Sequence, residues 1–200
     1  GASANDLAEL DAIVASIEIA KGVSFSFGAP AGGWEPTGDI SLNKSTHGPQ
    51  GAEAIVYWTS FPDGLYADPC GALAGLSTDA STADLAAAVA GAPGIELVAA
   101  PSDVAVGGHA AKHVVLTVRE DRGCDPGYFY AWSAGDGGAM WETADVGDTI
   151  RVGVVDVNGS ILFIAAETHA DVRPGEAMTE ADVMWIEREI QAFIDSIRFE

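Results

Sequence analysis

The side chains in this chain that could do chemistry are a few histidines, two cysteines and several acidic groups. His109 and His113 stand four apart, a spacing that on a helix would bring two imidazoles to one metal. The Gly107-Gly108 pair before them and Val114-Val115-Leu116-Thr117-Val118 after them predict a strand instead. No His-Glu-x-x-His pattern is completed. Asp156, Asn158, Ser160 and Glu167 fall at positions 1, 3, 5 and 12 of a calcium-loop spacing. The sixth position, which needs glycine for its bend, is Ile161 at the head of an apolar run, so Asn158-Gly159 is a hairpin turn and not an EF-hand. A looser cation site stays open among Asp136, Glu142, Asp145 and Asp148, and no metal site is assigned. Without a Gly-x-Ser-x-Gly elbow, a P-loop or a dinucleotide fingerprint, no catalytic residue and no cofactor are expected.

The cysteines, Cys70 and Cys124, sit in turns of similar chemistry, Asp68-Pro69-Cys70-Gly71 and Cys124-Asp125-Pro126-Gly127. No Cys-x-x-Cys suggests zinc, so the expectation is a disulfide. Closing a loop of about 55 residues would contribute on the order of 4 kcal/mol in the chain-entropy view. A disulfide implies an oxidising compartment and hence export. Among the aromatics, Trp58, Tyr130, Trp132 and Trp141 are candidates to line a pocket for an apolar or sugar-like ligand. The alternative for them is the core between sheet and helices.

Composition bounds the partners. Thirty acidic residues against nine basic ones leave a net charge of −21. Nucleic acid and anionic lipid surfaces both require basic groups, so neither is an expected partner. An apolar share of 48% is a globular value, and no apolar run reaches the roughly 18–20 residues of a membrane span. Direct insertion of this segment into a membrane is therefore not expected.

The chemistry-bearing residues are positioned by elements read from periodicity. Residues 3–17 predict an amphipathic helix with Leu7, Leu10, Ile13, Val14 and Ile17 on one face. Val23, Phe25 and Phe27 then alternate as in a half-buried strand. Strands are expected over 40–43, 54–60, 95–99, 103–106, 110–118 and 128–132, and the Cys70 region reads as irregular. A hairpin is expected from 150–156 and 160–167. Ser81 or Thr82 opens an Ala-rich helix that runs to about Ala90. Thr179 and Asp182 begin a second helix over 179–197, with Val183, Ile186, Ile190, Phe193 and Ile197 in one stripe. The fold class expected is α+β: a mainly antiparallel sheet packed against a C-terminal helix and a mid-chain helix, with one disulfide.

The two ends of the chain resemble each other. Glu9, Ala12, Ser16 and Ile17 match Glu189, Ala192, Ser196 and Ile197 at a shift of 180. Two readings of residues 1–20 stay open: similar helices and nothing more, or the tail of a preceding repeat ahead of a single domain over 21–200.

Several stretches carry a family resemblance: Ser41-Leu42-Asn43-Lys44, Trp58-Thr59-Ser60-Phe61-Pro62-Asp63-Gly64, Tyr66-Ala67-Asp68-Pro69-Cys70, Lys112-His113-Val114-Val115-Leu116 and Asp195-Ser196-Ile197-Arg198-Phe199. They look like an uncharacterised group of exported actinobacterial domains. The element order more loosely resembles the Mog1/PsbP-like α+β arrangement. The resemblance implies a secreted or envelope location, often behind a membrane anchor, and brings no catalytic residues with it. The function expected is a non-enzymatic extracytoplasmic binding, sensor or accessory domain for an unknown small ligand or protein. The rivals are a hydrolase built from scattered residues and a structural repeat of an envelope protein.

Overall fold

The computed structural model describes residues 14–19, 23–28, 33–36, 41–44, 54–60, 62–68, 72–75, 79–119, 129–134, 140–143, 146–169, 171–173, 176–177 and 179–200. The first strands are β1 (Val14–Ile19), β2 (Val23–Gly28), β3 (Trp34–Pro36), β4 (Ser41–Lys44), β5 (Ala54–Ser60), β6 (Pro62–Asp68) and β7 (Ala72–Gly75). Helix α1 (Thr82–Ala90) precedes β8 (Ile95–Val106), β9 (His109–Val118), β10 (Phe129–Ala134), β11 (Met140–Thr143), β12 (Thr149–Val157) and β13 (Ser160–Thr168). The chain continues through β14 (Asp171–Arg173), β15 (Glu176–Ala177), helix α2 (Glu180–Ser196) and β16 (Arg198–Phe199).

Seven strands form one sheet in the order β3-β4-β5-β13-β12-β9-β8, and every adjacent pair is antiparallel. Smaller sheets are β1-β2-β16, β11-β10-β6-β7 and β14-β15. Among the described residues the α+β class, with a mid-chain helix and a C-terminal helix, is as the sequence predicts. Among the described residues no helix is long and apolar enough to cross a membrane.

Local chemistry sets the boundaries. The β8–β9 turn has Gly107 and Gly108 at φ 55° and 85°, and the β12–β13 turn has Asn158 and Gly159 at 55° and 86°. These are the left-handed values that a two-residue hairpin matched to strand twist demands. Asp156 Oδ1 accepts from the Gly159 N–H at 2.7 Å, so its carboxylate serves the turn. Both helices begin with a reciprocal capping box, Ser81 with Asp84 and Thr179 with Asp182. Each box satisfies backbone donors that the first turn would otherwise leave open.

The large sheet is covered on both faces. On one face α1 lays Leu85, Ala86 and Val89 on Val114, Leu116, Ile150, Val152 and Phe163. On the other, α2 and β2 place Ile186, Ile190, Phe193, Phe25 and Phe27 over Leu42, Val56, Trp58, Val155 and Ile164. Alternation along β12 explains this: its even positions meet α1 and its odd positions face α2.

Three expectations are corrected. The helix predicted over 3–17 is overturned at residues 14–17, which lie in β1, paired antiparallel with β2 from Val14↔Gly28 to Ile19↔Val23, while residues 3–13 lie outside the described residues. An isolated short helix is marginal, and β-branched Val14, Ile17 and Ile19 gain more from a neighbouring strand. The Cys70 region contributes β6 and β7. The two strands predicted over 95–99 and 103–106 are one long edge strand, β8, with register shifts at Leu97/Ala99 and Ala99/Ser102. In α2 the buried positions are Asp182, Ile186, Ile190 and Phe193, while Val183 is half-buried. Cys70 and Cys124 lie outside the described residues, as do Asp136 and Asp145.

Candidate functional site

A cavity of about 110 Å³ opens between the sheet and α2. Its apolar walls come from Val104 and Val106 of β8, Ile164 and Ala166 of β13, and Ile190 and Ile194 of α2. Its polar groups are His113 of β9, Arg151 of β12 and Gln191 of α2, and Gly153 of β12 lies among them. Strand register brings these together. Gly153 is opposite His113 on one side and Ile164 on the other, and Arg151 is opposite Val115 and Ala166. Arg151, Gly153 and His113 therefore share the α2 face.

Ion pairing ties the helix over this cavity. Arg151 Nη2 donates to Glu187 Oε1 of α2. Burial lowers the Arg151 pKa from its usual value, and the Glu187 carboxylate opposes that shift. A guanidinium remains charged in proteins, so the pair is ionic. Arg151 Nη1 is buried with no hydrogen-bond partner among the described residues. Burial also pushes the His113 pKa below its ordinary value, and the positive charge of Arg151 pushes it further the same way. Both effects favour the neutral imidazole, which offers one ring nitrogen as a donor and the other as an acceptor.

The helix is fixed at two further points. Lys44 Nζ of β4 lies 2.9 Å from Glu189 Oε2, which also accepts from Trp34 Nε1 at 2.9 Å. The same ammonium sits 3.9 Å from the Trp185 ring centroid. At the other end of α2, the Gly28 N–H donates to Ser196 Oγ at 2.9 Å.

The predicted aromatic site is divided between sheets. Trp58 is in the large sheet, 3% exposed, with its ring 5.1 Å from Phe27 and 5.7 Å from Phe25. Its neighbour across the ladder, Ile164, reaches the cavity wall while Trp58 packs in the core. Tyr130 and Trp132 lie on β10 and Trp141 on β11, in the four-stranded sheet, where Trp132 is opposite Trp141. One further grouping lies on the α1 face. The ligand atoms of buried Asp148 and Glu167 and of half-buried His169 all fall within 4.8 Å of one another. His169 Nδ1 is 3.4 Å from Asp148 Oδ2. Of these three, the loose acidic grouping read from sequence includes Asp148.

No family model matches the chain, and no curated protein matches it at significance. Solved structures with a similar course include LpqN, involved in cell envelope biogenesis of Mycobacterium tuberculosis, at 8% identity and TM-score 0.48, covering 100% of this chain and 98% of that one. PA94 from Pseudomonas aeruginosa, a protein of unknown function and putative regulator, is similar at 15% identity and TM-score 0.43, with 92% and 94% covered. The Ran-binding protein Mog1p of Saccharomyces cerevisiae is similar at 9% identity and TM-score 0.42, with 92% and 94% covered. Mog1p is also the arrangement that the element order was expected to resemble loosely. At these values the likeness concerns the arrangement of the chain, and no residue or activity is carried across.

Sequence reasoning missed Arg151 and Gly153 and treated His113 as an ordinary strand histidine. A signal was present. Buried Val155 and Val157 occupy odd positions of β12, and the same register holds a charge at 151 and no side chain at 153.

Proposed function

We propose that this domain is a non-enzymatic binding module whose cavity under α2 holds a small, uncharged ligand with an apolar body and one hydrogen-bonding group. The observation behind this reading is the composition of the wall. It is aliphatic apart from a neutral imidazole, an amide and a guanidinium already paired with Glu187. A few placed polar groups on an apolar lining orient a ligand without supplying a nucleophile. The Arg151–Glu187 pair cancels its own charge, and the chain's net −21 repels anions. The volume is somewhat below the ~150 Å³ that accepts a benzene ring, so the enclosed part of the ligand is of short branched-alkyl size.

Isobutanol, isobutyrate and isobutylamine share one body and differ in charge. In a ¹⁵N NMR titration, isobutanol should shift the amides of 113, 153 and 190 in a saturable way, with isobutyrate weaker by ~10-fold or more. Equal binding of the three, or shifts spread over the surface, would remove the reading.

An extracytoplasmic setting for this binder rests on the disulfide inferred between Cys70 and Cys124. Intact mass after alkylation without reductant should show neither thiol modified; two alkylated thiols in the folded protein would withdraw that setting.

A further inference from the structure

We infer that Gly153 is the specificity-determining residue of this cavity, and that its missing side chain leaves the space in which the ligand's apolar body sits. This rests on the cavity being a ligand site. Glycine in the interior of a strand weakens it, and such a residue marks a bulge, a bend, a close approach of another backbone, or a ligand. The first three do not apply at 153. The register of β12 runs without a shift against both β13 and β9, so there is no bulge. Gly153 is not among the residues with positive φ, so its backbone suits any L-residue. A Cβ placed there would meet only the Ile164 carbonyl oxygen, at 3.7 Å, an ordinary contact distance. The fold therefore has room for a side chain at 153 on the face where Val155 is fully buried. What the glycine preserves is the volume next to His113 and Ile164, below α2.

The inference sets ligand size. Each carbon added at 153 removes the same increment from the cavity, so the wild-type chain takes a branched four-carbon body and the variants take less. Gly153→Ala and Gly153→Val should fold, and the alanine variant should melt about 1–4 °C higher, because the glycine's backbone freedom in the unfolded chain is lost. Isobutanol affinity, read from the same amide shifts, should fall by about 10-fold in Gly153→Ala and further in Gly153→Val, while methanol binding is retained in Gly153→Ala. If isobutanol shifts the amides of 113 and 190 equally in wild type and both variants, the role of Gly153 is overturned and the cavity stands as the ligand site. If isobutanol shifts none of these amides in the wild type, the cavity reading fails and takes this inference with it. A Gly153→Ala variant with a lowered Tm would show that the space at 153 is not free, which also overturns the inference.

Discussion

Lys44→Ala should cost about 3–5 kcal/mol in denaturant unfolding, a large part of the roughly 5–15 kcal/mol margin of a typical domain. Lys44 is a fully buried side chain on a short strand, with its ammonium between Glu189 and the Trp185 ring. Removing the ammonium leaves the Glu189 carboxylate, only 12% exposed, accepting from the neutral Trp34 indole N–H but without its counter-ion. A buried charge that has lost its counter-ion is expensive, whereas removing both charges together is often close to neutral. Lys44→Met combined with Glu189→Leu should therefore recover most of the loss. If the double variant is as unstable as Lys44→Ala, the energy resides in packing around Trp34 and Trp185 and not in the ion pair.

Phe193→Ala should cost a similar amount, about 3–5 kcal/mol, by a different route. Phe193 is fully buried on α2, 4.9 Å from the Phe27 ring and inclined at 62° to it, and 6.1 Å from the Trp58 ring. This residue joins three elements distant in sequence: the C-terminal helix, β2 and β5. Truncation leaves a cavity that rigid aromatic neighbours cannot fill. Phe193→Leu should lose less, about 1–1.5 kcal/mol, since volume is largely conserved. Met184→Ala on the exposed side of the same helix should stay within about 0.5 kcal/mol, because that side chain is 46% exposed. A loss at 193 no larger than at 184 would mean that the stripe does not hold the helix to the sheet.

The elements most legible from the chain were those governed by local chemistry. The two capping boxes, the Gly107-Gly108 and Asn158-Gly159 turns and the stripe of α2 each depend on residues within a few positions of one another. The alternation at Phe25 and Phe27 likewise reports one buried face. Residues 14–17 were misread because their apolar spacing suits a helix and a strand alike; pairing with β2, which begins only at Val23, decided the matter. Continuity of β8 through Pro101 was hidden for the same reason, since an edge strand tolerates a proline that a central strand would not.

The sequence by itself determined the α+β class, the two helix starts, the two tight hairpins and a charge that disfavours nucleic acid and anionic lipid, because composition and short-range spacing carry that information. The tertiary structure alone decided which polar side chains meet. Arg151 and Glu187 are 36 residues apart, Lys44 and Glu189 145 apart, and Asp148 and His169 meet only through the pairing of β12 with β13. Contacts of that kind depend on sheet register and on how α2 lies across the strands. A one-residue slip of β12 would turn Arg151 and Gly153 away from the helix and from His113, so the cavity is a property of the register.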